Sequence, residues 1–341
     1  MKVLLDGNSL TPEILNQLSE GGHTLDLTDE AWERVDRGRS VVDDILERKE
    51  VVYGINTGFG NFARVVIPPN RLCELQVNLI RSHAAGTGTP ISKSRTRMLL
   101  ALRTNVLSKG HSGIRRETLR KILDAFNADC LSVVPEQGTV GASGDLAPLS
   151  HLALGLIGEG PMWVPGTEEQ APASEVLASK GLTPINLQAK EGLAMINGTQ
   201  LITALGCEAL VRAENIAKQA EIVASLTLEA LQGTARAFHP RIHEVRGHQG
   251  QREVASRMRS FLHSKSTPSE IAEGHLGCDK VQDSYTLRCI PQVHGVVHDT
   301  LKFVRGLLAQ ELNAATDNPM VFAEPDIEAG KRDFLPRFDG R

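Results

Sequence analysis

The stretch Gly138-Thr139-Val140-Gly141-Ala142-Ser143-Gly144-Asp145-Leu146-Ala147-Pro148-Leu149 carries the densest chemistry in the chain. Its glycines suit a phosphate cradle, but a P-loop closes on Gly-Lys-Ser/Thr, and Asp145 would repel phosphate. A nucleophile elbow needs G-x-S-x-G, and Gly141-Ala142-Ser143-Gly144-Asp145 lacks the last glycine. Taken alone, the segment reads most simply as a tight turn entering a helix. A third chemistry is also open to it. A small residue, serine and glycine in succession can cyclise through the backbone, the Gly144 amide nitrogen attacking the Ala142 carbonyl carbon. Glycine permits the close approach and the strained dihedrals. Loss of two waters would leave a 4-methylidene-imidazol-5-one (MIO), whose exocyclic methylene is an electrophile that no standard side chain provides.

Other residues qualify singly for bland roles. The chain has two tyrosines, Tyr53 in the glycine-flanked Val52-Tyr53-Gly54-Ile55-Asn56-Thr57-Gly58-Phe59-Gly60, and Tyr285. A lone tyrosine usually belongs to a core or an interface. Arg288 alone is an ion-paired or solvated helix residue. His83 alone is a structural histidine, and Asn197 and Gln282 alone are capping or surface groups.

Together and in order these segments resemble the aromatic amino-acid ammonia-lyases. The resemblance rests on Ala-Ser-Gly-Asp-Leu-Ala-Pro-Leu from Ala142, the tyrosine loop at 52–60, Ile196-Asn197-Gly198-Thr199, Gln282-Asp283-Ser284-Tyr285-Thr286-Leu287-Arg288 and Thr316-Asp317-Asn318-Pro319. It covers the chain from about residue 1 to Phe322. Arg81-Ser82-His83-Ala84 is similar to the histidine-selective branch, where phenylalanine-selective members carry Phe-Leu at the Ser-His positions.

The resemblance implies non-oxidative deamination of L-histidine to trans-urocanate and ammonia, the opening of histidine catabolism. It implies a lyase whose MIO forms from Ala142-Ser143-Gly144. Tyr53 is then the base for the β-proton; a phenol with an ordinary pKa of about 10 has to be held toward its phenolate for that work. Its loop is a candidate lid. Arg288 clamps the substrate carboxylate with a geometry lysine lacks. Asn197 and Gln282 supply neutral contacts, Tyr285 assists beside the prosthetic group, His83 binds the substrate imidazole, and Asp145 is a candidate to assist cyclisation. The alternatives kept open are a non-catalytic truncated subunit, a lyase for another aromatic amino acid, and a serine hydrolase using Ser143.

These residues need elements to position them, and the signals are mostly helical. Thr11-Pro12-Glu13 and Thr28 open helices with N-cap chemistry. Further helices are expected over about 94–109, 116–127 and 199–232, the last stopped by Gly233 as a C′ glycine. Another is expected over 278–313, interrupted near Pro291. Strands are expected at Leu25–Leu27 and Val51–Tyr53, with a hairpin near Pro184–Ile196. The expected fold is mainly α: an ammonia-lyase-like fold with a small N-terminal globular domain (1–110, holding the tyrosine loop), then the MIO loop and the first part of a long helix bundle (111–322), then a charged, poorly ordered tail (323–341). Family members continue past this point into a Gly-Gly-Asn-Phe-His motif and a further helical half. The expectation is therefore a C-terminally truncated chain, inactive or weakly active when made alone.

The 341 residues carry a net charge of −4, which argues against a nucleic-acid partner and a basic membrane surface. Five scattered cysteines without CxxC spacing suit reduced thiols and a cytoplasmic location. No apolar run of about 18 residues reads as a membrane span, so no membrane partner is expected. His239, His243 and His248 miss the H-E-x-x-H spacing by one residue, and His294 with His298 lacks further ligands, so no metal is expected. The resemblance implies a homotetramer whose active sites draw on more than one subunit.

Overall fold

The computed structural model describes residues 2–139, 144–263, 269–271, 277, 279–323 and 338–339. Ala142 and Ser143 lie outside them, as do Cys278 and most of the expected tail. The protein is mainly α and divides into two compact units, Met1–Cys207 with Ala309–Arg341, and Glu208–Leu308. The chain does not divide at residue 110.

The first unit holds α1 (Pro12–Leu18), α2 (Asp29–Glu47), α3 (Leu72–His83), α4 (Lys93–Leu107), α5 (Arg116–Asn127), α6 (Leu146–Leu156), α7 (Ala173–Ser179) and α8 (Glu191–Ile196). Thr11, Thr28 and Ser92 cap their helices by accepting from the amides of Ile14, Ala31 and Arg95. Helix α4 is buried at every position from Thr96 to Leu107, so it is the unit's central rod. Helix α5 packs on α4, and α6 and α8 pack on α3. That packing explains why residues beyond 110 belong with the N-terminal elements.

Small sheets tie the loops. Strand β1 (Lys2–Leu5) runs parallel to β2 (Thr24–Leu27). Strand β3 (Thr87–Pro90) pairs antiparallel with β5 (Pro135–Gln137), while β4 (Leu131–Ser132), β6 (Pro161–Trp163) and β7 (Gln170–Pro172) form the three-stranded sheet. Strand β8 (Met320–Val321) pairs with β9 (Phe338–Asp339). Val321 and Ala323 join Val41, Val42, Ile45, Val52 and Ile55 in one core cluster, so residue 323 is not the start of a loose tail.

Two strand expectations fail. Residues 51–52 are irregular and Tyr53 begins a turn rather than a strand, because the Asn56 side chain accepts from the Val52 amide and donates to the Glu50 carbonyl. In place of a hairpin near 184–196 the chain makes α8. Its apolar run Leu193-Ala194-Met195-Ile196 is buried, and a run so short cannot distinguish strand from helix. Glu191 decides the outcome: buried at the helix start, it accepts from Arg115, Thr118 and the Gln188 amide.

The second unit is built from α9 (Gln200–Ala230, which starts in the first unit), α10 (Pro240–Arg246), α11 (Gln249–Leu262), α12 (Tyr285–Arg288) and α13 (Ile290–Glu311). Its core gathers Leu228, Phe238, Val254, Ala255, Met258, Leu262, Leu287 and Ile290. Helix α9 ends in a Schellman turn, but Gln232 (φ 50°) takes the left-handed place expected of Gly233. The Gly233 amide bonds the Leu228 carbonyl, and a Cβ there would meet Leu228 Cδ1 at 2.5 Å. The helix expected from 278 starts at Tyr285, breaks at Cys289, and resumes at Ile290 with Pro291 in its first turn, where a missing amide costs nothing. The stretch Glu191–Ala230 is long and apolar enough to cross a membrane, yet 56% of its most apolar window is buried in the protein, as in a core helix.

Candidate active site

In the first unit the signature segment meets the asparagine motif. Gly144 has φ +128°, and a Cβ there would lie 2.6 Å from the Gly198 carbonyl oxygen. The same oxygen accepts the Asp145 amide at 2.6 Å. Only glycine fits position 144, on dihedral and on space. Asp145 is buried; its Oδ2 accepts from the Ile202 amide at 2.9 Å and its Oδ1 from Thr139 Oγ1 at 2.9 Å. Burial raises its carboxyl above the ordinary range, opposed by those hydrogen bonds. Asp145 thus joins the start of α6 to the first turn of α9. A backbone forced into this geometry fits a Ser-Gly ring closure; Ala142 and Ser143 themselves lie outside the described residues.

Asn197 caps the C-terminal end of α8 and donates from Nδ2 to the Asn318 carbonyl at 2.9 Å. The Pro319 ring packs against Gly54, where a Cβ would sit 2.7 Å from Pro319 Cδ. Gly54 is thus the point at which the tyrosine loop rests on the Asp-Asn-Pro motif. Tyr53 is half-buried, with its ring edge-on to Phe59 at 6.2 Å between centroids.

His83 ends α3. Its Nδ1 lies 2.9 Å from the Leu79 carbonyl, which can only accept, so Nδ1 is the donor; in the tautomer with hydrogen on Nδ1 alone, Nε2 is an acceptor. The loop after it is registered on the signature helix. The Gly86 amide donates to His151 Nε2 on α6 at 2.9 Å, and Thr87 on β3 pairs with Gln137 on β5, one residue before Gly138. Burial lowers the pKa of His151, which keeps that acceptor nitrogen unprotonated.

The second unit places Gln282 and Arg288 together. Both line a cavity of about 310 Å³ with Thr234, Arg236, Lys280 and Asp283. The Arg288 guanidinium stacks on the Tyr285 ring at 4.1 Å, and its buried Nε has no hydrogen-bond partner among the described residues. Tyr285 is 72% exposed in this chain. Arg288, Arg236 and Lys280 outnumber the lining carboxylate of Asp283, whose Oδ2 accepts the Thr234 amide, so with the Gln282 amide the cavity suits a carboxylate. Among the described residues no group of three or more His, Cys, Asp or Glu is placed to hold a metal ion. His243 is held by the Ala237 carbonyl and the Gln251 side chain, and His298 Nε2 by buried Glu221.

Sequence reasoning missed the charges beneath the asparagine motif. Arg103, Lys190 and Asp317 are buried there beside the Gln200 amide, and Lys190 pairs with Asp317 at 3.0 Å. Arg103 had a legible signal: it closes the apolar run Met98-Leu99-Leu100-Ala101-Leu102. A charge in such a run is buried and must be paired.

Comparison with known proteins shows the family and the fold. The aromatic amino acid lyase family model matches residues 10–334. The chain is 63% identical over 321 residues to a histidine ammonia-lyase of Mus musculus, covering 94% of this chain and 49% of that one. It superposes on a histidine ammonia-lyase structure from Trypanosoma cruzi with a TM-score of 0.86 at 50% identity, covering 95% of this chain and 60% of that one. A phenylalanine aminomutase from Pantoea agglomerans also gives 0.86, at 31% identity over 96% of this chain and 65% of that one. The chain spans about half the length of the curated relatives it matches.

Proposed function

Because the chain belongs to the aromatic amino acid lyase family, we propose that it serves the deamination of L-histidine to trans-urocanate and ammonia. The observation that carries this reading is Gly144, left-handed and pressed on the Gly198 carbonyl at the end of Ala142-Ser143-Gly144. When formed, the MIO ring supplies an electrophilic methylene that helps the amine depart. Everything else falls to side chains. Tyr53, on its glycine-flanked loop, takes the β-proton as the Cα–N bond breaks and the Cα–Cβ double bond forms. His83 selects histidine: with hydrogen on Nδ1 alone, its Nε2 accepts the substrate imidazole N–H, which a phenyl ring cannot offer. Asn197 stands beside the ring-forming glycine. Arg288 and Gln282 bind a carboxylate in the second unit, and Tyr285 stacks on Arg288 to orient it.

We assign the working enzyme to a homo-oligomer in the cytoplasm. Apolar side chains left exposed on the second unit (Ile216, Val223, Leu226, Val296 and Phe303) support the assembly. The test is substrate selectivity, following cinnamate-type products by ultraviolet absorbance with histidine, phenylalanine and tyrosine. Histidine should be strongly preferred, and His83→Leu should cost roughly 10–100-fold in kcat/KM for histidine, the worth of one hydrogen bond in a dry site. Turnover of phenylalanine or tyrosine as fast as histidine would overturn the assignment.

A further inference from the structure

Beneath the asparagine motif lies a cation that the chemistry above does not use. Arg103, on α4, is 2% exposed. Its Nη1 donates to the Asn197 carbonyl and to Gln200 Oε1, both at 2.9 Å, and its Nη2 donates to the Ala194 carbonyl. These carbonyls end α8, where no helical amide remains to satisfy them. Gln200 continues the chain of bonds, donating from Nε2 to Thr316 Oγ1 at 2.7 Å. A side chain at Gly198 would displace this grip: a Cβ there would stand 2.4 Å from Arg103 Nη1 and 2.1 Å from Gln200 Oε1. Burial pulls the guanidinium's pKa down to about 10, with nearby Asp317 opposing the fall, so it stays charged at neutral pH.

The Asn197–Gly198 segment is therefore gripped from below by Arg103, while its upper side holds the signature turn. The Gly198 carbonyl takes the Asp145 amide and blocks any side chain at Gly144. Resting on the ring-forming function proposed above, we propose that Arg103 is a positioning residue for ring closure. Its guanidinium fixes the Gly198 carbonyl at the height that keeps Gly144 in its left-handed backbone. Closure joins the Gly144 nitrogen to the Ala142 carbonyl carbon. The Ala142 oxygen leaves as water with the Gly144 and Ser143 amide hydrogens, and the Ser143 hydroxyl leaves with its Cα hydrogen as the second. No oxidant is needed. What the step needs is a backbone held against relaxation, and a displacement of about 1 Å in such a step costs on the order of 100-fold.

Arg97 provides the control. It lies on the same helix, is 4% exposed, and bonds the Leu18 carbonyl, the His23 carbonyl and Asp129 without touching the asparagine motif. The experiment measures the intact mass of the chain and of its Ser143 peptide over time, for wild type, Arg103→Met, Arg103→Lys and Arg97→Met. Tryptophan fluorescence reports folding. Wild type and folded Arg97→Met should lose two waters to the same extent. Folded Arg103→Met should close roughly 10–100-fold more slowly, with Arg103→Lys between. If Arg103→Met does not fold, Arg103→Lys decides, because it keeps the charge but loses the fork. Closure at the wild-type rate in the folded Arg103 variants overturns the proposal, and so does an equal defect in Arg97→Met. A wild-type chain that keeps both waters defeats the ring-forming function itself, and the proposal with it.

Discussion

Lys190→Met tests the buried frame by its energetics. Lys190 Nζ lies 3.0 Å from Asp317 Oδ2, and the two side chains are 0% and 1% exposed. Methionine keeps the aliphatic stem and removes the charge, so packing changes little. Asp317 keeps its bond from the Asn318 amide at 2.7 Å but loses its ion pair with Lys190. Breaking a buried pair by removing one partner costs about 3–5 kcal/mol. Arg103 still contributes an attractive charge, which favours the lower end, near 3 kcal/mol, or about a hundredfold in the folding equilibrium. The assay is urea denaturation followed by tryptophan fluorescence. Both tryptophans, Trp32 and Trp163, lie in the first unit, so the signal reports the unit that holds the pair. Adding Asp317→Asn should recover most of the loss, because the buried charge goes while an acceptor for the Asn318 amide stays. A single variant costing under about 1 kcal/mol, or a double variant no more stable than the single, would refute the reasoning.

Three further perturbations follow. His151 accepts the Gly86 amide only when its Nε2 is unprotonated, and burial lowers its folded pKa. Its contribution is therefore present above the unfolded pKa of about 6.5 and lost as pH falls through the folded value. Urea midpoints between about pH 5 and pH 8 should show that slope in wild type and lose it in His151→Gln; equal slopes would contradict the assignment. Gly144→Ala should leave the ring unformed and destabilise the first unit by about 1–3 kcal/mol, read by intact mass and urea midpoint, since its Cβ would meet the Gly198 carbonyl at 2.6 Å on a left-handed backbone. Val223→Lys with Leu226→Glu, at 60% and 61% exposed positions on α9, should shift the chain toward smaller species in sedimentation velocity; unchanged sedimentation would count against an apolar interface there.

Much of the helical frame was legible because its signals are local. Thr11-Pro12 and Thr28 start their helices by side-chain capping, and α5 occupies the expected Arg116–Asn127. The helix α8 was not legible where a hairpin was expected, because bonds that fix its start come from Arg115 and Thr118, over seventy residues away. The stop of α9 moved by one residue because Gln232 accepts the left-handed position while the space beside Leu228 reserves Gly233. At the candidate site, the motifs named Tyr53, His83, Gly144, Asn197, Gln282, Tyr285 and Arg288. They could not name His151, which bonds the Gly86 amide outside any motif, nor the partners of Arg103. The apolar run before Arg103 marked it only as a buried charge.

The central claim is that Ala142-Ser143-Gly144 becomes an electrophile, and the mass of the peptide containing Ser143 tests it most directly. The expected mass is lower than the encoded sequence by two waters in the wild-type chain, and unaltered in Ser143→Ala. A wild-type peptide at its full encoded mass, from chain whose tryptophan fluorescence shows it folded, would contradict the claim.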